Sequence, residues 1–227
     1  MSSTKKFLAR GVWLLLIAAV LAVAGILGRA FWISSRTIFD LLAENKKLRT
    51  AIANLSAESQ IGYAKVLSQA TRDGRTFTLV LFVETARDDP AKHILEQEYE
   101  VEGDVVHFDA LIVKFSTQYV ADGRARALYL WRRVYGEKMT PESGYPIESA
   151  GQEPRRYAEA LRALSVRDRD MFWTEIWRLA HDPERLKSAG VTAVFGNAVY
   201  TQMRPGFIYT FKIGNTGALS VEAAAAP

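Results

Sequence analysis

His107 and Asp109 stand two residues apart, and a β-strand there puts both on one face. A histidine beside a carboxylate can move a proton or begin a metal site. Either use needs a third group at suitable spacing, and His93 and His181 are the only other histidines. The chain has no HExxH, HxH or Gly-x-Ser-x-Gly motif, no glycine-rich phosphate loop and no cysteine. Structural disulfides, thiolate metal sites and a cysteine nucleophile are therefore excluded. The expectation is a protein that is not an enzyme, with no catalytic, metal-ligating or cofactor-binding residues.

Glu96, Glu98, Glu100 and Glu102 alternate with Leu95, Gln97, Tyr99 and Val101. On a strand they form an acidic row on one face. Such a row can dock a basic partner. It can equally be a solvated face paired with Arg124, Arg126 or Arg132, or a guard against unwanted edge pairing. Phe172, Trp173 and Trp177 fall at helical spacing and read as core.

Charge is distributed unevenly. Residues 1–36 carry Lys5, Lys6, Arg10, Arg29 and Arg36 and no acid, while the remainder holds 24 basic against 25 acidic residues. The main domain thus lacks a global field for nucleic acid. The positive end flanks residues 11–28, GVWLLLIAAVLAVAGILG, an uncharged run. As a helix this run spans roughly 27 Å, close to the hydrocarbon thickness of a bilayer. Phe31 and Trp32 follow as a membrane-interface pair. Ala22-Val23-Ala24 also fits a signal-peptidase pattern, so cleavage after Ala24 competes with a retained anchor. The retained anchor is expected, with residues 1–10 cytoplasmic, 11–33 spanning an inner membrane once, and the bulk of the chain periplasmic.

Residues 37–59 have a heptad pattern. Ile38, Asn45 and Ile52 occupy a, and Leu41, Leu48 and Leu55 occupy d. β-branched residues at a with Leu at d favour a parallel dimer, and one Asn at a specifies register. Glu44 at g and Arg49 at the following e can pair between helices. A parallel homodimer is expected. A hetero-coil, or packing of the helix on its own domain, remains open.

After Ser59 the pattern becomes strand-like. Strands are expected over 63–69, 76–84, 93–101, 105–115 and, after residues 118–120 lead into a turn, 125–135. Turns at Asp73-Gly74, Glu102-Gly103-Asp104 and Asp122-Gly123 join them into an antiparallel meander. Pro154 opens a helix to Leu164, and a second runs from about Asp168 to Ala180, with continuation past Pro183 to Ser188 left open. Strands at 191–195, 198–203, 207–213 and 218–221 complete a domain over 60–222, with 223–227 a disordered tail. The fold class is α+β: an N-terminal transmembrane helix and short coiled coil, then a mostly antiparallel sheet or partial barrel with two covering helices.

An anchor followed by a coil carrying Leu-x-x-Glu-Asn-x-x-Leu (41–48) resembles the layout of bacterial bitopic morphogenesis and division proteins, over residues 1 to about 60. The resemblance implies a membrane-anchored envelope scaffold whose partners are the bilayer, its own copy and other envelope or membrane proteins. The alternative is a membrane-tethered periplasmic ligand-binding module of an export or sensing system.

Overall fold

The computed structural model describes residues 25, 42–149, 154–157 and 191–227. The expected anchor and its interface pair Phe31 and Trp32 lie outside these residues, as do Ile38, Leu41 and the helices expected after Tyr157. No helix among the described residues is long and apolar enough to cross a membrane. The chain divides into two units, Met1–Thr50 and Ala51–Pro227.

In the first unit residues 42–50 are helical; in the second, residues 51–56 form helix α1. The second unit contains two antiparallel sheets. In chain order its strands are β1 (Glu58–Arg72), β2 (Arg75–Ala86), β3 (Asp89–Glu102), β4 (Val105–Phe115), β5 (Leu128–Gly136), β6 (Tyr145–Pro146), β7 (Val191–Gln202), β8 (Phe207–Gly214) and β9 (Leu219–Ala225). A short helix α2 (Thr117–Ala121) lies between β4 and β5. The first sheet has the order β3-β2-β1-β8-β9 and the second β6-β5-β4-β7. The sheets are open, not closed into a barrel.

Local chemistry sets the hairpins. Asp73 and Gly74 both have positive φ, 51° and 75°, the type I′ geometry whose twist matches a hairpin. They put Thr71 opposite Thr76 and align β1 with β2. Gly103 has φ 109°, and its N–H donates to Thr76 O at 2.8 Å. The chain there leaves the first sheet and enters the second. The expected single meander is therefore two sheets: β3 ends in one and β4 starts in the other.

Strand periodicity explains the core. Val80 and Phe82 of β2 meet Phe108, Ala110 and Ile112 of β4, Trp131 of β5 and Phe211 of β8 in one buried cluster drawn from both sheets. Phe82 lies 5.8 Å from the rings of Phe108 and Phe211 and 5.2 Å from Trp131. The alternate residues Leu111 and Val113, with Leu130 and Val191, form a second buried cluster on the opposite face of the second sheet.

Two further expectations are corrected, and the conformation of 118–120 is added. Residues 118–120 are helical, because Ser116 caps α2 by accepting from the Tyr119 N–H. The strands expected at 191–195 and 198–203 are one continuous β7, with no turn at Gly196-Asn197. The tail expected at 223–227 is ordered through Ala225, since β9 pairs with β8 from Ile213↔Leu219 to Phe207↔Ala225.

Candidate functional site

The acidic row lies on β3, an edge strand of the first sheet. Glu96, Glu98 and Glu100 are exposed and Glu102 is half-buried, while Tyr99 and Val101 point into the core. The alternation expected from the sequence is present over Glu98–Glu102 but not at Gln97, which is exposed like its neighbours. The counter-ions differ from those expected. Arg72 pairs with Glu100 at 3.0 Å, Arg75 approaches Glu102 at 3.6 Å, and His93 approaches Glu96 at 3.4 Å. Arg126 instead pairs with Asp88 at 2.7 Å, and Arg132 with Asp109. Exposed pairs of this kind contribute about 0–1 kcal/mol each, so the row is not committed to folding. No ion pair involves Glu98 among the described residues.

His107 and Asp109 share the outer face of β4 as expected, but they do not form a pair. The His107 ring is stacked against Tyr135 of β5 at 4.7 Å and Tyr200 of β7 at 5.3 Å. Burial lowers its pKa, against the pull of Glu137. Asp109 turns to Arg132 Nε at 3.4 Å and Arg133 Nε at 3.3 Å. Both arginines reach it because the β4–β5 register slips between Asp109 and Ala110, leaving Arg132 as the extra residue on β5. Burial raises the Asp109 pKa, opposed by the two guanidinium groups. No group of three or more His, Asp or Glu among the described residues could hold a metal ion.

The residues that sequence reasoning missed form a buried ion cluster. Glu84 of β2 is 1% exposed. It accepts from Arg156 Nη1 at 2.6 Å. Glu148 binds the same guanidinium with both oxygens, at 2.7 Å and 2.8 Å. Arg156 Nη2 also donates to Tyr129 O at 2.6 Å, and its guanidinium lies over the Tyr129 ring at 4.2 Å and the Tyr157 ring at 4.9 Å. Pro154 places Arg156 here: Tyr157 N–H donates to Pro154 O at 2.9 Å, making one 3-10 turn over Arg155–Tyr157.

Burial, opposed by Arg156 and reinforced by Glu148, pushes Glu84 up to about 7. Burial alone would lower Arg156; the carboxylates of Glu84 and Glu148 and the nearby tyrosines outweigh it and hold the guanidinium charged. Glu148 also lines an open groove of about 420 Å³ with Arg132, Arg133, Glu142, Pro146 and Ser149. The cluster ties the turn at 154–157 to β2 and β5.

Of the expected dimerisation residues, Glu44, Asn45, Leu48, Arg49, Ile52 and Leu55 are described and helical. Leu48 is 56% and Ile52 64% exposed, whereas Leu55 is half-buried. Asn45 Oδ1 accepts from Arg49 Nε at 2.7 Å within the helix.

No family model, curated protein or solved structure matches this chain.

Proposed function

We propose that the chain is a single-pass membrane-anchored bacterial envelope protein, dimerised through residues 37–59, whose β-sandwich docks partner proteins as a scaffold or assembly subunit. The observation that carries this reading is the acidic row at the sheet edge. Edge strands have unpaired backbone groups that can accept a partner strand, and the exposed Glu96, Glu98 and Glu100 favour a basic one. The uncharged run over 11–28 behind Lys5, Lys6 and Arg10 supports the anchor, and the heptads support the dimer. The alternative ligand-binding reading gains nothing from the groove at Glu148, which is open and lined by charged side chains.

Two experiments test this reading. The full-length chain carries a photo-crosslinking residue at position 98 in native membranes. A stoichiometric protein adduct is expected, and Glu96→Lys with Glu100→Lys should reduce it at least tenfold without lowering the melting temperature. No adduct, or one indifferent to charge reversal, rejects β3 as the docking edge. Separately, Asn45→Leu is expected to tighten the coil and mix its oligomeric states, read by light scattering of the detergent-solubilised chain. An unchanged mass distribution removes the coil from the proposal.

A further inference from the structure

The ion cluster is unbalanced. Among the described residues, one guanidinium faces the buried Glu84 and the half-buried Glu148, and Glu148 already takes both of its nitrogens in a bidentate pair. Glu84 is therefore the surplus anion, held on β2 with 1% exposure. Its partner reaches across to the second sheet through the Tyr129 carbonyl, and Tyr157 Oη accepts from the Tyr129 N–H at 2.9 Å. Residues 154–157 are thus tied to β2 and β5 by charged and polar contacts.

We propose that Glu84, Arg156 and Glu148 form a pH-sensitive clasp that holds residues 154–157 against both sheets and loosens as the medium turns from acidic to alkaline. This device stands independently of partner docking at β3. Among the described residues, the groups facing Glu84 are Arg156 and Tyr157 on the 3-10 turn, Glu148 after β6, and Tyr129 on β5. Tyr99 of β3 senses Glu148, and burial raises its hydroxyl far out of the neutral range. Arg87 turns elsewhere, donating to Ala127 O and Asn215 Oδ1 at 2.7 Å and 2.9 Å. Glu84 is thus the group in this cluster placed to change charge near neutrality.

The direction follows from proton linkage. In the closed clasp Glu84 titrates at about 7; once solvated it returns towards the ordinary 4.5. Between these values the closed state binds more protons. Its stabilisation is fully present below about 4.5 and is lost as pH rises through about 7.

Hydrogen exchange of the full-length chain in detergent micelles, corrected for the intrinsic pH dependence of exchange, reads the clasp at the Tyr129 and 154–157 amides. The open population should rise at least tenfold from pH 5 to pH 7.5. Glu84→Gln should flatten this rise. Glu148→Gln should move it to lower pH, because Glu84 then has Arg156 to itself. A pH-independent wild type, or an equal rise in Glu84→Gln, overturns the proposal. Should Glu84→Gln fail to fold, an unmoved midpoint in Glu148→Gln overturns it as well.

Discussion

Arg156→Ala is expected to destabilise the folded domain by about 3–5 kcal/mol at pH 8, read by urea denaturation. The size comes from what the substitution leaves behind. Glu84 and Glu148 would remain in place without the guanidinium, and Tyr129 O would lose its 2.6 Å donor. A buried carboxylate without a counter-ion costs far more than the net contribution of the pair it came from. The deficit should shrink by pH 5, where the stranded carboxylates can take up protons. Replacing all three residues together, Glu84→Leu with Arg156→Met and Glu148→Leu, should lie much nearer wild type, because no charge is stranded. A loss below about 1 kcal/mol for Arg156→Ala alone would show that this segment is not tied to the sandwich by its charge.

Phe82→Ala is expected to cost about 3–5 kcal/mol, a range set by lost apolar transfer plus the cavity left behind. Phe82 is fully buried and touches rings from both sheets: Phe108, Trp131 and Phe211. Its removal opens a space that these rings cannot all collapse into, since each is held by its own strand. Phe82→Leu should recover most of the loss, because the volume change is smaller. Paired urea melts of the two variants separate the cavity contribution from any change in strand pairing. Equal losses would mean that ring contacts, not volume, dominate here.

Features governed by neighbouring residues were legible in the sequence. The Asp73-Gly74 hairpin follows from two residues that accept positive φ, and the expected bounds of β4 coincide with those observed. The alternation in β3 correctly placed Glu96, Glu98 and Glu100 outward. Features that depend on distant pairing were not legible. Nothing local says that Gly103 hands the chain from one sheet to another. Ala223–Ala225 have weak strand propensity and are ordered by the backbone groups that β8 offers them. Gly196-Asn197 looked like a break, yet β7 passes through it. A Cβ on Gly196 would lie 3.1 Å from Arg132 Nη1, so its missing side chain makes room for that guanidinium.

The ion cluster did leave one signal. Glu84 is in phase with Thr78, Val80 and Phe82, all fully buried on the inward face of β2. A carboxylate in that phase needs a buried partner or a proton. Its partner, Arg156, lies 72 residues away, and no local pattern marks it.

The position of β1 has a mechanical consequence. It begins just after α1 and runs between β2 and β8, not at a sheet edge. The end of α1 is pinned beside it: Asn54 Nδ2 donates to Ala121 O at 2.9 Å, and Asn215 donates to Asn54 O at 2.8 Å and Ala57 O at 2.9 Å. A pull applied to the chain at this junction cannot peel off a single strand. Residues 58–60 pair with β8 alone and β2 joins from Gly62, so the load passes from one antiparallel ladder into two. Detaching β1 therefore breaks pairing in the middle of the first sheet, not at its rim.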